Sequence, residues 1–298
     1  MLTKPDKLKL FTLMGSYPNA MALKDGKLES DILEFDFADV KVSNTAFKPL
    51  VRDAKYDCSE VAINTFLQAR YYNKPYILLP ATIVGRGQIH NLLYNSERGV
   101  IKPTELHGKR VGVRAYTQTT GMWVRGMLAE LYGMDVEKVR WVTFEDGHIA
   151  EYKDPPFVER APAGKQLMQM LIDGELDAAI ITDRSDPRLK QVVPDAEEVS
   201  RKWAETHGGV PINHMLVMRD SIVKSRPDVV REVYRTVLAS RRAMDSSKDG
   251  KLDPLRFDIE NVRKSLELAI DFSLVQKFIA RRLTVDELFD DTTRALTG

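Results

Sequence analysis

Short alternating apolar runs and helix-period stretches succeed one another along most of this chain. Positions 8–14 read as a first strand, ended by the turn formers Gly15-Ser16-Tyr17-Pro18-Asn19 and followed by an apolar run at 20–23. Further strands are predicted at 33–40, 56–62 and 76–84. A short helix is predicted at 45–54, and the third strand runs on into a helix that reaches Tyr72. Strand alternating with helix is the rhythm of βαβ units, so the pattern predicts a mainly parallel sheet.

Pro103 and Gly108 punctuate the chain ahead of its most informative stretch, GKRVGVRAYTQTTGMWVRG at 108–126. Positions 109–114 alternate and are rich in Val, which predicts a strand. The Tyr-Thr-Gln-Thr-Thr run then turns the chain into a helix that starts near Thr119 or Thr120, with threonine hydroxyls expected to cap it and Gly133 expected at its C-terminal cap. Beyond it come a strand at 139–144 and a polar, proline-containing loop at 145–163 of the kind that covers binding sites. A helix at 166–172, a turn at Gly174 and a strand at 176–182 complete a second α/β unit. A strand at 214–219 precedes a helix opened by Ser225-Arg226-Pro227 and running to about 244, and a capping box at Thr284 and Glu287 marks a helical remainder.

Length and composition narrow the functional classes. The 298 residues suit two domains or one two-lobed unit. A net charge of +1 offers no bulk field for nucleic acid, so no nucleic-acid partner is expected and any anion recognition must be local. Cys58 is the single cysteine, which leaves neither an internal disulfide nor a thiolate metal cluster and suits a reducing compartment. No stretch approaches the roughly 18 apolar residues of a membrane span, and the N-terminus lacks the apolar run of a secretory signal. A cytoplasmic protein without a membrane partner is the expectation; self-association into a homo-oligomer is left open.

A strand that feeds a helix N-terminus through threonines is a place for an anion. Free N–H groups point outward there, the helix dipole adds positive charge, and Arg114 and Arg125 stand nearby. Elsewhere, Glu60 interrupts the otherwise apolar run 58–62, where a carboxylate is costly without a partner. The five histidines show no His-x-His or His-x-x-x-His spacing to favour a metal.

These residues carry a resemblance. Gly15 with Tyr17, the Tyr56-Asp57-Cys58-Ser59-Glu60-Val61-Ala62 strand, Arg86, His90, the pattern of Tyr116, Thr119, Trp123, Arg125 and Gly126, Trp141-Val142-Thr143, Gly174-Glu175-Leu176-Asp177-Ala178-Ala179 and His214 occur in order. Over roughly 8–245 the chain resembles the 4,5-dihydroxyphthalate decarboxylases, which look like type II periplasmic-binding proteins recruited for catalysis. The loop at 145–156 and the tail after about 246 depart from that pattern. The resemblance implies an α/β, two-lobed fold with a ligand cleft at the strand ends. Lobe one would comprise 1–98 plus 214–298, and lobe two 99–213.

It also implies a cofactor-independent decarboxylase of a hydroxylated aromatic carboxylate, and no metal-ligand set is assigned. Arg86, Arg114 and Arg125 are the expected carboxylate clamps, Tyr17, Tyr116, Thr119 and Thr120 the expected hydrogen-bond donors, and Trp123 the expected ring-stacking surface. Glu60, His90 and His214 are the expected acid and base groups, with a raised pKa making Glu60 the proton carrier. A solute-binding protein for an aromatic or other small carboxylate is the competing expectation.

Overall fold

A computed structural model describes residues 7–244 and 253–297. The start of the chain, 1–6, on which part of the export-signal reading rests, lies outside the described residues. Eleven strands form two sheets among those described: β1 Leu8–Leu13, β2 Leu33–Phe37, β3 Cys58–Ala62, β4 Tyr76–Gly85, β5 Leu92–Asn95, β6 Arg110–Val113, β7 Arg140–Thr143, β8 Val158–Arg160, β9 Ala178–Ile180, β10 Leu189–Gln191 and β11 Ile212–Arg219. The first sheet has the order β2-β1-β3-β11-β4 and the second β10-β5-β9-β6-β7-β8.

Each sheet contains one strand that runs against the others, β11 in the first and β5 in the second. Both are the strands that follow a crossing between sheets. The chain leaves the first sheet at the C-terminal end of β4, enters the second at the same level, and must therefore descend through β5. It returns through the helix Ala196–His207 and descends again through β11. This topology sets His214, near the start of β11, at the level where the parallel strands end. The second sheet takes up the chain at Leu92, earlier than the expected boundary between 98 and 99.

One apolar core runs through both sheets, joining Leu13, Val61 and Phe66 to Trp123, Trp141 and Ile270. The C-terminal helix Ile259–Val275 lies against the helix Thr119–Tyr132 and the helix Ile63–Tyr71, one from each half of the molecule. Gly126 permits that approach: a Cβ there would stand 2.2 Å from the Phe272 ring. Gly126→Ala is thus expected to destabilise the fold by roughly 1–3 kcal/mol through overpacking, although alanine is the better helix former. A thermal melt checks this, with a fall of roughly 2–4 °C expected for each kcal/mol at this chain length. No helix among the described residues is long and apolar enough to cross a membrane.

Candidate active site

Glu60 is the centre of the candidate site. Its β3 strand pairs on one side with β1 and on the other with β11, so the side chain is completely buried. Four donors converge on it. Oε1 accepts the Gly15 N–H at 2.7 Å, the Tyr17 hydroxyl at 3.2 Å and a short hydrogen bond from the Ser43 hydroxyl; Oε2 faces His214 Nδ1 at 2.9 Å. The Gly15 contact depends on glycine, because Tyr17 folds back so closely that a Cβ would stand 2.7 Å from its ring.

Burial alone would push the Glu60 carboxyl up, but the bonds from His214, Ser43 and the Gly15 amide outweigh it and hold the carboxyl below its ordinary value. The expectation of a raised pKa is thereby corrected: Glu60 is a carboxylate, not a stored acid. An ionised carboxylate only accepts, so Nδ1 of His214 carries the proton of the shared bond and Nε2 is the nitrogen left for chemistry. Burial and the negative charge of Glu60 push the Tyr17 phenol well above its ordinary value, so it remains a donor.

His214 stands opposite Ala62 in the β3–β11 ladder, two positions along from Leu216, the partner of Glu60. Its side chain is 13% exposed. Its ring meets the edge of Phe47 at 5.3 Å, and His148 meets the same Phe47 at 5.7 Å. His148 arrives from the other half of the molecule on the loop that follows β7. There Nδ1 bonds to the Thr65 hydroxyl at 2.7 Å, while Arg52 donates to the carbonyls of His148 and Gly147 at 2.8 and 3.0 Å. Lys74 pairs with Glu151 further along the same loop. The 145–156 segment is therefore fastened to the helices Phe47–Asp53 and Ile63–Tyr71 and to the turn at Lys74, which flank the first sheet.

Burial, and then the charges of Arg114, Lys48 and Arg52, lower the His148 pKa to about 3. In the unfolded chain His148 titrates near the usual histidine value of about 6.5, so the unfolded state binds the extra proton between these limits. Stability should fall as pH drops from about 6.5 toward 3, with this group contributing at most about 1.4 kcal/mol per pH unit. Urea unfolding of wild type and His148→Gln from pH 7 to 4 checks the sign. The variant is expected to show the shallower pH dependence.

The other expected site residues divide. Arg86 is exposed and follows β4 directly, its amide bonded to the Pro211 carbonyl at 3.1 Å; among the described residues its guanidinium has no ion-pair partner. Its charge acts on both Tyr17 and His90. His90, half-buried, is lowered by burial and then by the charges of Arg184 and Arg86. Arg114 is paired with Glu145 at 2.9 Å.

The central stretch proves to be packing. The helix begins at Thr119 as expected and ends at Gly133 with φ 67°, but its N-cap is Gln118 and no side chain caps it. Thr119 and Thr120 are buried; the Thr119 hydroxyl accepts the Asn64 N–H at 3.2 Å, and Asn64 Nδ2 reaches the Thr117 carbonyl at 2.7 Å. Trp123 is fully buried between Trp203 and Phe272 and donates to the Ile212 carbonyl at 2.7 Å, so no face remains for a ligand. Arg125 is fully buried too. Its guanidinium lies 4.3 Å from the Tyr116 ring, 4.9 Å from Trp141 and 5.6 Å from Phe278, and it donates to Gln276 Oε1 and the Tyr116 carbonyl. Tyr116 is enclosed with it.

Ser43, Phe47, Thr65 and Arg184 were not singled out by sequence. Ser43 and Thr65 are common residue types in unremarkable local patterns. Arg184 lies in the loop after β9, at a strand end where open α/β sheets bind ligands, a rule that sequence reading could have applied to it. Among the described residues no group of three or more His, Cys, Asp or Glu side chains is disposed to hold a metal ion.

Comparison with known proteins adds sequence kinship. No protein-family model matches the chain. It is 28% identical over 309 aligned positions to the 4,5-dihydroxyphthalate decarboxylase of Comamonas testosteroni, covering 92% of this chain and 91% of that protein. It is 29% identical over 213 positions to the 4,5-dihydroxyphthalate decarboxylase of Pseudomonas putida, covering 66% and 82%. The periplasmic aliphatic sulphonate-binding protein SsuA of Escherichia coli superposes with a TM-score of 0.61 at 11% identity, covering 99% of this chain and 94% of that one, a likeness of fold alone. The chain is thus related in sequence to the 4,5-dihydroxyphthalate decarboxylases and carries the two-lobed α/β fold of periplasmic-binding proteins.

Proposed function

We propose that the protein is a decarboxylase of a hydroxylated aromatic dicarboxylate of the 4,5-dihydroxyphthalate type, acting by protonation of the ring carbon that bears the departing carboxylate. The observation that carries this reading is the Glu60–His214 pair: a buried carboxylate with four donors, orienting one imidazole at the end of the strands. Holding a ligand needs no such pair. Proton transfer to a reacting atom does.

In 4,5-dihydroxyphthalate each carboxylate is para to a hydroxyl. That hydroxyl pushes electron density toward the carbon bearing the carboxylate, which then accepts a proton from Nε2 of His214 as an imidazolium. Glu60 stabilises the imidazolium through Nδ1–H and fixes its orientation, as the buried carboxylate of a catalytic triad does. The C–C bond breaks, its electrons restore the aromatic ring, and CO₂ leaves. His90, whose pKa burial and two arginine charges hold down, is neutral and suited to accept the proton of the hydroxyl. Arg86, free of an ion-pair partner among the described residues, is the carboxylate anchor in this reading.

The test is CO₂ release from a panel of ring acids. Turnover of 4,5-dihydroxyphthalate, with none of unsubstituted phthalate, is expected because only the former has a para hydroxyl. Tight binding of one panel member with no CO₂ from any would instead make the chain a solute-binding protein.

A further inference from the structure

We propose that Arg184, which with Arg86 stands beside His90, is a second carboxylate anchor, and that it makes the site select a dianion over a monoanion. This rests on the reading of the site as one for an aromatic dicarboxylate. Arg86 leaves the end of β4 in the first sheet and Arg184 follows the end of β9 in the second, so one arginine comes from each half of the molecule. Arg184 Nη2 donates to the His90 carbonyl at 3.1 Å, which fixes its guanidinium beside that turn.

Neither of these two arginines is committed to an ion pair among the described residues. Arg110, Arg114, Arg140, Arg160 and Arg188 each meet a carboxylate. Arg86 and Arg184 meet none among the described residues. Both charges act on His90 and depress its pKa, so both forks lie in the field of one imidazole. Two guanidiniums without an ion-pair partner among the described residues, both beside the 86–90 turn, suit two carboxylates, since a guanidinium fork can donate bidentately to one carboxylate and Arg184 keeps N–H groups beyond the one given to the His90 carbonyl. Neighbouring ring carboxylates present two anions at fixed separation, and one fork alone would not distinguish them from a single carboxylate.

The experiment uses unreactive probes, so it does not depend on turnover. Phthalate and benzoate are titrated into the intact protein by calorimetry, together with Arg184→Ala and Arg184→Lys. Wild type is expected to prefer phthalate over benzoate by roughly 10- to 100-fold, the contribution of one charge-assisted anchor. Arg184→Ala should lose that preference while binding benzoate as wild type does, and Arg184→Lys should keep part of it because the charge survives without the fork. Equal binding of the two probes by wild type, or an undiminished preference in Arg184→Ala, would overturn the proposal. A wild-type preference abolished in Arg184→Ala, in a protein that releases no CO₂ from 4,5-dihydroxyphthalate, would uphold the anchor and refute the decarboxylase reading.

Discussion

His214→Ala is expected to lower the rate of CO₂ release from 4,5-dihydroxyphthalate by about 10²- to 10⁴-fold, the usual contribution of a positioned acid or base, while leaving ligand binding within a few-fold of wild type. The split follows from geometry. The imidazole is held from behind by Glu60 and from the side by Phe47, and Nε2 is the nitrogen without a partner in that arrangement. Removing it removes the proton donor and none of the arginines. Glu60→Gln should act in the same direction. An amide of the same shape lacks the charge that stabilises an imidazolium, and its NH₂ group cannot accept the Nδ1–H bond. Steady-state kinetics paired with calorimetry of bound phthalate checks both variants. A fall in binding with unchanged turnover of the bound fraction would mean that the pair grips ligand.

The second large effect concerns stability. Arg125→Ala should destabilise the fold by roughly 3–5 kcal/mol, the range for large-to-small substitutions in a core. It empties a space lined by Tyr116, Trp141 and Phe278 and deprives Gln276 Oε1 and the Tyr116 carbonyl of their donor. Arg125→Met, which retains much of the volume without the donors, should cost less, since unmade bonds add to a cavity. Urea unfolding measures both. If Arg125→Ala unfolds like wild type yet fails to bind phthalate, the arginine is a ligand clamp after all.

The contrast between Arg125 and Glu60 shows what the sequence made legible. Both are charged residues inside apolar runs; Glu60 is marked as functional on that ground, Arg125 by its nearness to the expected anion site and by the family pattern. A buried charge must have partners, but sequence does not say whether they are a ligand or the protein itself. For Arg125 the partners are three aromatic rings and a glutamine, two of them from 276–278, distant in the chain. For Glu60 they come from three separate segments, the 15–17 loop, Ser43 and β11, and those partners reverse the direction of its pKa. The Tyr116 to Gly126 pattern reads as a binding motif because a strand there feeds a helix N-terminus through threonines with arginines nearby. In the structure Gly126 admits Phe272, Trp123 reaches the Ile212 carbonyl, and Thr119 meets Asn64.

Local periodicity served the strands well where they are long or flanked by turn residues. β1, β4, β6, β7 and β11 lie within a few residues of their expected positions. The short strands β5, β8 and β10 are not among the expected ones; β8 falls within the segment read as a long polar loop at 145–163. Missing β5 also displaced the boundary between the sheets, because the return of the chain through a descending strand follows from where the crossing occurs and has no local signal.

The central claim is that a Glu60-oriented His214 protonates the ring carbon as CO₂ departs. Incubating the purified protein with 4,5-dihydroxyphthalate in D₂O, with CO₂ and the proton NMR spectrum of the ring followed together, tests it most directly. The account predicts one CO₂ per ligand consumed and one deuterium, at the carbon that lost its carboxylate. Ligand recovered unchanged from a protein that binds it, with no CO₂ evolved, would contradict the account.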